Sequence, residues 1–242
     1  MMERTDVRLA SLRPPGPAGR LRRSMAPSAV LAEVTILLVP VLAAIVFHEV
    51  AHGAVAYLLG DPTAARHGRL TLNPLPHVDP VGTVLLPGLL MLSPFLLGVR
   101  LPIFGWAKPV PVDYSRLRHP RRDAVLVALA GPGTNVALAA LSAAVLAVLP
   151  RPEAGFGPLQ ALRLMAMASI QINCVLAVFN ALPIPPLDGG RVLSALLPAG
   201  LARALARVEA IGFVIVLALV LNTDVLGTLV RPLLDLFLGW AR

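Results

Sequence analysis

The chain alternates between long apolar stretches and short segments rich in polar residues, proline and glycine. The first apolar stretch, from Ser28 to Leu59, exceeds the ~20 residues that a helix needs to cross a bilayer. A Gly-Asp-Pro sequence follows it and predicts the end of a helix. The ionisable side chains within the stretch are Glu33, His48, Glu49 and His52. The pattern therefore predicts a membrane-spanning helix that carries a cluster of polar groups.

Later apolar stretches predict further membrane segments at Ala124–Leu149, Leu159–Leu182 and around Ile211–Leu221. Two others are ambiguous, because residues 81–99 contain Pro87 and Pro94 and residues 226–240 are short. Each of these two either spans the membrane or lies as a re-entrant or interfacial piece, which hydrophobic periodicity does not decide. We therefore predict an all-α polytopic membrane protein with about four to six transmembrane helices.

The region between the first helix and Ala124 is polar and rich in turns. A short alternating piece, Arg69-Leu70-Thr71-Leu72, is compatible with a β-strand, because successive strand residues point to opposite faces. Residues 100–122 form a basic loop whose prolines exclude a continuous helix. We therefore expect a short membrane-associated β/loop region here. Residues 190–208 predict a short amphipathic connector.

The composition identifies lipid as the main solvent of this chain. Of its 242 residues, 57% are hydrophobic and only 14% are charged, whereas a soluble domain carries roughly a quarter charged residues. Basic loops on the cytoplasmic side of a membrane protein account for the net charge of +8, so we expect no nucleic-acid partner. Cys174 is the single cysteine, which excludes a disulfide framework and a thiolate metal cluster within the chain.

Basic residues also bear on domain organisation and topology. Residues 1–27 contain six arginines, so we predict a disordered basic tail before a single membrane domain over residues 28–242. Residues 60–122 carry eight Lys or Arg and residues 150–158 carry one, which places 60–122 and 187–208 on the cytoplasmic side. A single crossing by the first helix would then put the basic tail outside, a conflict that the sequence leaves open.

The polar cluster in the first helix has the spacing of a metal site. His48 and His52 lie four residues apart, so both imidazoles share a helix face and can reach one ion. Glu49 follows the first histidine, where it can accept a proton from metal-bound water. Ionisable groups inside a bilayer cost ~2.5–3.5 kcal/mol or more each, and a bound cation would offset that cost. Chance occurrence of the motif is therefore the weaker interpretation.

A catalytic zinc site usually has three protein ligands and keeps one position for water, so a third ligand is needed. Asp188 is the best-placed carboxylate, because it follows a predicted span and three nearby prolines that stop the helix. Gly189 and Gly190 add backbone freedom. Broken backbone at membrane depth is tolerated where it lines a wet cavity. An ordinary helix end with an interfacial turn is the alternative interpretation of this segment.

The chain resembles the site-2 protease family of intramembrane zinc metalloproteases. The resemblance covers roughly residues 45–195 and rests on motifs in the family's order: His48-Glu49-x-x-His52, Gly131-Pro132-x-x-Asn135 and Asn180-x-x-Pro183-x-Pro185-x-Leu187-Asp188-Gly189. Residues 68–74 and 105–112 are similar to segments of the short bacterial members. About 45 residues separate Asn135 from Asn180, too few for the PDZ insert of the larger members.

The resemblance implies a three-helix catalytic core that holds one Zn²⁺ per chain. It implies that His48, His52 and Asp188 are the zinc ligands and that Glu49 is the catalytic acid/base. It also implies that Asn180 and Asn135 contact the substrate or the oxyanion. The implied reaction is regulated intramembrane proteolysis, the cleavage of single-span membrane proteins within the bilayer. The implied location is the plasma or inner membrane, with a multi-pass enzyme whose active site faces the cytoplasm.

Two other functions remain compatible with parts of the pattern. A transporter or channel could use intramembrane His and Glu to pass protons or metal ions, but it predicts repeats and polar groups spaced along a path. We find no repeat, and the polar groups cluster around one point. A catalytically inactive scaffold would be expected to carry a damaged motif, whereas His48, Glu49, His52 and Asp188 are all present.

Overall fold

A computed structural model describes residues 27–99, 105–151, 157–207, 209–221 and 223–241. The predicted basic tail, apart from its last residue, lies outside the described residues. The α-helices are α1 (Pro27–Leu58), α2 (Thr63–Arg66), α3 (Leu86–Leu97), α4 (Pro120–Val148), α5 (Pro158–Ala181), α6 (Asp188–Leu196), α7 (Ala199–Arg207), α8 (Glu209–Leu221) and α9 (Thr223–Trp240). A π-helical turn at Pro80–Leu85 leads into α3, and 3₁₀ turns lie at Leu75–His77 and Tyr114–Arg116.

Three of these helices are long and apolar enough to cross a membrane: Val34–Leu58 of α1, α4 and α5. They correspond to three of the predicted spans, and the all-α polytopic architecture is confirmed. The segment around Ile211–Leu221 is helical and lies in α8, which is bounded on both sides by residues outside the described ranges. Of the two segments left ambiguous by the sequence, 81–99 contains the π-helical turn and α3, and 226–240 lies within α9.

Small side chains let the three long helices approach one another. Helix α4 packs against both α1 and α5, which also contact each other. The buried residues of these helices include many alanines: Ala44 and Ala56 on α1, Ala128, Ala139 and Ala143 on α4, and Ala166, Ala168 and Ala177 on α5. Close backbone approach strengthens van der Waals packing, which drives helix association in lipid. The three spans therefore form one tightly packed bundle.

Helix α9 extends this bundle on one side. Its buried Val230 and Phe237 join Ala143 of α4 and Ile170 of α5 in a single hydrophobic cluster. The rings of Phe237 and Trp240 meet edge to face with centroids 5.3 Å apart. The predicted connector 190–208 corresponds to α6 and α7, which link the bundle to α8.

Polar loop contacts fix the end of α1 against the start of α4. The Arg118 amide donates to the Leu59 carbonyl at 3.1 Å. The carboxylate of Asp61 is fully buried and accepts hydrogen bonds from the Thr63 and Asp113 amides. Asp123, in the first turn of α4, accepts from the His119 amide at 2.8 Å and so caps that helix. The loops at this end of the bundle are thereby tied together.

The strand anticipated at Arg69–Leu72 is absent, and no β-strand occurs in the described ranges. The Thr71 carbonyl lies 3.0 Å from the His77 imidazole, and the Thr71 hydroxyl accepts from the Asn73 amide. These local hydrogen bonds compete with a strand ladder. The β/loop region is therefore an irregular loop held by side chains.

The packing of α4 predicts a position-specific response to added volume. We expect Ala143→Leu to destabilise the bundle by about 1–3 kcal/mol, because the Ala143 side chain is fully buried between helices. Ala144→Leu adds the same volume at the next position, which is exposed, and should change stability by less than about 0.5 kcal/mol. Thermal unfolding in detergent measures both variants, and equal shifts would contradict this packing.

Candidate active site

His48 and His52 project from one face of α1 into the interface of the three spans. Both residues are only 7% exposed, and their rings meet edge to face with centroids 4.6 Å apart. The two Nε2 atoms lie 3.0 Å from each other. The helical spacing of four residues produces this convergence, as the sequence predicted.

Asp188 reaches the same point from another part of the chain. Helix α5 ends at Ala181, and the following proline-rich segment turns the chain so that α6 begins at Asp188. Its Oδ2 lies 3.2 Å from the Nε2 atoms of both His48 and His52. A Cβ at Gly189 would collide with the carbonyl oxygen of Ala181. The absence of a side chain at Gly189 therefore allows α6 to start against the end of α5.

The hydrogen-bond partners of the imidazoles define their tautomers. His52 Nδ1 lies 2.7 Å from the Val127 carbonyl, which can only accept, so Nδ1 carries the proton. His48 Nδ1 lies 2.6 Å from Asn135 Oδ1 and likewise donates. Each neutral imidazole then presents an unprotonated Nε2 to the centre of the site. This is the form in which histidine binds a metal.

The three central atoms are arranged to hold a cation. Two Nε2 lone pairs and a carboxylate oxygen face one another at 3.0–3.2 Å, and the buried Asp188 Oδ2 has no hydrogen-bond donor. Tetrahedral zinc ligands lie roughly 3.3–3.4 Å apart. The donor set and its spacing therefore fit one zinc ion.

Gly131 of α4 lies directly against this centre. A Cβ at that position would overlap the Nε2 atoms of both His48 and His52. Open space surrounds Gly133, one residue beyond Pro132, because no atom lies within 4 Å of the place that a Cβ would occupy there. The first glycine of the Gly131-Pro132-x-x-Asn135 motif is thus required by space, which the motif alone did not reveal.

Asn135 and Asn173 form a buried network behind His48. Asn135 is fully buried, and its Nδ2 donates to Asn173 Oδ1 at 2.8 Å and to the Ala44 carbonyl at 3.3 Å. Asn173 in turn donates to the Ser169 carbonyl at 2.8 Å. Asn173 therefore fixes the orientation of the Asn135 amide, and Asn135 fixes the His48 ring.

Glu49 is held by the backbone of a distant loop. Its Oε2 accepts a hydrogen bond of 2.7 Å from the Val110 amide. That loop is anchored by the buried Arg69, which donates to the Lys108 carbonyl at 2.6 Å. The Lys108 amide donates to the His77 carbonyl at 2.9 Å. Residues 105–112, noticed in the sequence as a resemblance, therefore orient the predicted acid/base.

Asn180 is not drawn into the metal cluster by the contacts of the described residues. Its Nδ2 donates to the Leu176 carbonyl one turn earlier in α5 at 3.1 Å, and the residue is half-buried. Its predicted contact with the substrate stays a prediction. The clustered residues are His48, His52 and Asp188, with Glu49 and Asn135 attached through α1.

Comparison with known proteins places this site in a family. A model described as "Peptidase family M50" matches residues 152–222. The chain is also 38% identical to the "Putative zinc metalloprotease YwhC" of Bacillus subtilis over 193 residues, covering 76% of this chain and 78% of that protein. The chain belongs to peptidase family M50. No solved structure matches it significantly.

Two further family M50 relatives carry the same description as YwhC and are called Rip2. The Rip2 of Mycolicibacterium smegmatis is 34% identical over 72% of this chain and 62% of its own length. The Rip2 of Mycobacterium tuberculosis is 34% identical over 77% of this chain and 66% of its own length. The chain thus spans just under two thirds of the Rip2 proteins. With these relatives and its ligand group, the chain is a multi-pass membrane metallopeptidase that uses Zn²⁺.

The close approach of Gly131 to the two imidazoles predicts that a side chain at this position weakens zinc binding. We expect Gly131→Ala to lower zinc affinity at least about tenfold, because the added methyl displaces two imidazoles. Gly133→Ala is the matched control on the same helix and should leave zinc affinity within about twofold, since open space surrounds that position. Competition with a chromogenic chelator measures both, and an unchanged affinity in Gly131→Ala would refute the observed approach.

The buried amide network predicts that a residue which does not itself bind the metal changes the zinc affinity. We expect Asn173→Leu to weaken zinc binding by about 10–100-fold, because Asn135 loses the acceptor that orients its amide behind His48. Gln171→Leu removes an amide from the exposed face of the same helix and serves as the control. The same chelator competition compares the variants at matched melting temperature. Equal affinities for both variants would assign Asn173 to packing alone.

Proposed function

We propose that this chain is an intramembrane endopeptidase that cuts within the transmembrane segments of single-span membrane proteins. The observation that carries the proposal is the meeting of the His48, His52 and Asp188 ligand atoms at 3.0–3.2 Å inside a bundle of three spans. These three residues would hold the zinc, and Glu49 lies beside the first of them. A hydrolytic site at this depth acts on peptide bonds that other proteases do not reach.

Glu49 is suited to carry protons in this reaction. Bound zinc acts as a Lewis acid on the scissile carbonyl and lowers the pKa of its water to ~7. The Val110 amide holds Oε2 of Glu49, while Oε1 has no hydrogen bond among the described residues. Oε1 is therefore free to take the proton of the attacking water and to return it to the leaving amine. The anchored Oε2 keeps the carboxylate aimed during both transfers.

Asn135 serves the reaction through His48. Its Oδ1 accepts from His48 and its Nδ2 is shared between Asn173 and Ala44. We therefore favour positioning of the His48 ring over the oxyanion contact expected for Asn135 from the resemblance. Asn180 keeps its proposed role as a substrate or oxyanion contact, because it precedes the segment that delivers Asp188.

An apolar cavity offers the substrate a lateral route from the lipid. It has a volume of about 490 Å³ and lies between α1, the π-helical turn and α5. Ile45 lines it one turn before Glu49, and Trp106 of the Glu49-binding loop closes its far side. The route therefore leads from the membrane interior to the loop that holds the acid/base. A substrate segment would lie along the loop 105–112 once its own helix has unwound.

The charge distribution supports an active site that opens toward the cytoplasm of a cell membrane. The end of α1, the start of α4 and the end of α5 share one side of the bundle, joined by the Arg118–Leu59 hydrogen bond and by α6. The polar segment 60–122 at that end carries eight Lys or Arg, whereas residues 150–158 carry one. The positive-inside rule assigns the basic end to the cytoplasm.

A transport function is less consistent with the arrangement. Transporter sites lie between repeated helical units and need further polar groups along a path. Among the described residues the buried ionisable groups near the bundle centre converge on one point. Family M50 membership and the zinc metalloprotease relatives also favour hydrolysis.

Substitution of the acid/base tests this function directly. We expect Glu49→Gln to lower cleavage of a single-span reporter in proteoliposomes by at least about 100-fold, because the carboxylate is needed for both proton transfers. Glu209→Gln changes an exposed carboxylate elsewhere and should retain the wild-type rate. Zinc content is matched by metal analysis, and a chelator should stop the wild-type reaction. Wild-type cleavage by zinc-loaded Glu49→Gln would overturn the assigned role.

A further inference from the structure

A second cavity, rich in arginine, does not include the proposed zinc ligands among its lining residues. It has a volume of about 490 Å³ and is formed by the first turn of α4, by α6 and by α7. Its polar lining includes Arg121, Arg191, Arg203 and Tyr114, while alanines such as Ala124 and Ala195 form much of its wall. No acidic side chain is among the residues that line it. The cavity therefore combines a positive field with an apolar surface.

The three guanidinium groups have no anionic partner within the cavity. Arg121 donates to the Leu197 carbonyl, and Arg191 donates to the Tyr114 hydroxyl at 3.0 Å. Arg203 makes no hydrogen bond or ion pair with any other described residue. The two acceptors are neutral oxygens, and the carboxylates whose charges act on Arg191, those of Asp188 and Glu49, are not part of the cavity lining. The three arginines therefore share the cavity without an anion among its lining residues. Guanidinium forks bind phosphate oxygens in pairs, which makes a phosphate group a suitable counterion.

The cavity lies at the level where a bilayer meets water. Arg121 follows Pro120, the first residue of the span formed by α4. Helix α6 begins shortly after α5 ends, at the same side of the bundle. Leu196 and Leu201, which flank the cavity on α6 and α7, are 70% and 57% exposed. Exposed leucines beside arginines are typical of helices that lie in the headgroup region.

We propose that this cavity binds the headgroup of an anionic phospholipid, with its phosphate among Arg121, Arg191 and Arg203. The alanine-lined wall and the exposed Leu196 and Leu201 favour a lipid over a soluble phosphate or an acidic peptide, because they would contact its glycerol and acyl chains. Basic pockets at the cytoplasmic ends of membrane helices recognise anionic lipids in this way. The site goes beyond the proposed proteolysis and does not depend on it.

Lipid titration of the purified full-length protein tests the site by binding alone. Native mass spectrometry in detergent counts bound phosphatidylglycerol, with phosphatidylcholine of the same chains as the neutral comparison. We expect one phosphatidylglycerol to bind preferentially and Arg203→Gln to weaken it by about fivefold, the effect of one arginine near an anionic surface. Arg207→Gln removes the arginine one turn further along α7, outside the lining, and should change binding by less than about twofold.

A second variant separates a defined site from general charge attraction. Ala202→Phe keeps the net charge but fills part of the cavity, and it should weaken phosphatidylglycerol binding while the melting temperature is retained. Equal effects of Arg203→Gln and Arg207→Gln, or equal binding of both lipids, would overturn the proposal. Displacement of the lipid by millimolar inorganic phosphate would reassign the cavity to a soluble anion. Arg203-dependent binding of an aspartate-rich peptide in place of the lipid would reassign it to an acidic protein segment.

Discussion

The convergence of three metal-binding atoms at one buried point is the constraint on which this structure depends. His48 Nε2, His52 Nε2 and Asp188 Oδ2 meet at 3.0–3.2 Å, although Asp188 lies 136 positions after His52 in the chain. Packing of the three spans supplies the free energy that holds them there until a cation neutralises the contact. A zinc ion held by these residues would join α1 to the start of α6. Its binding would then be coupled to folding of the bundle.

Glycines allow the helices to approach closely enough to bring these three atoms together. Gly131 brings the α4 backbone against the two imidazoles, and Gly189 brings α6 against the end of α5. Behind them, the Asn135–Asn173 pair fixes one imidazole while the Val127 carbonyl fixes the other. A buried amide pair in lipid has no water to exchange with, so its satisfied hydrogen bonds favour one ring orientation. The ligands are therefore positioned by all three spans.

The sequence predicted those features that depend on local spacing or on a long apolar run. The four-residue spacing of His48 and His52 and the apolar lengths of α1, α4 and α5 gave correct helices and a correct face. The strand expected at Arg69–Leu72 is absent because the His77 imidazole contacts the Thr71 carbonyl and the Arg69 amide donates to the Ala64 carbonyl. The Val110–Glu49 contact joins residues 61 positions apart. Such a contact depends on tertiary packing and leaves no periodic trace in the sequence.

The hydrogen bond from the Val110 amide to Glu49 has a genetic consequence. Its donor belongs to the backbone, so nearly every amino acid at position 110 supplies it equally well. Selection on this contact therefore acts on the shape of the loop, through Arg69 and the flanking prolines Pro109 and Pro111, more than on the identity of residue 110. Because the Val110 side chain is itself buried, a screen of single replacements at this position would report on packing, whereas the amide that holds the proposed acid/base is lost only with proline.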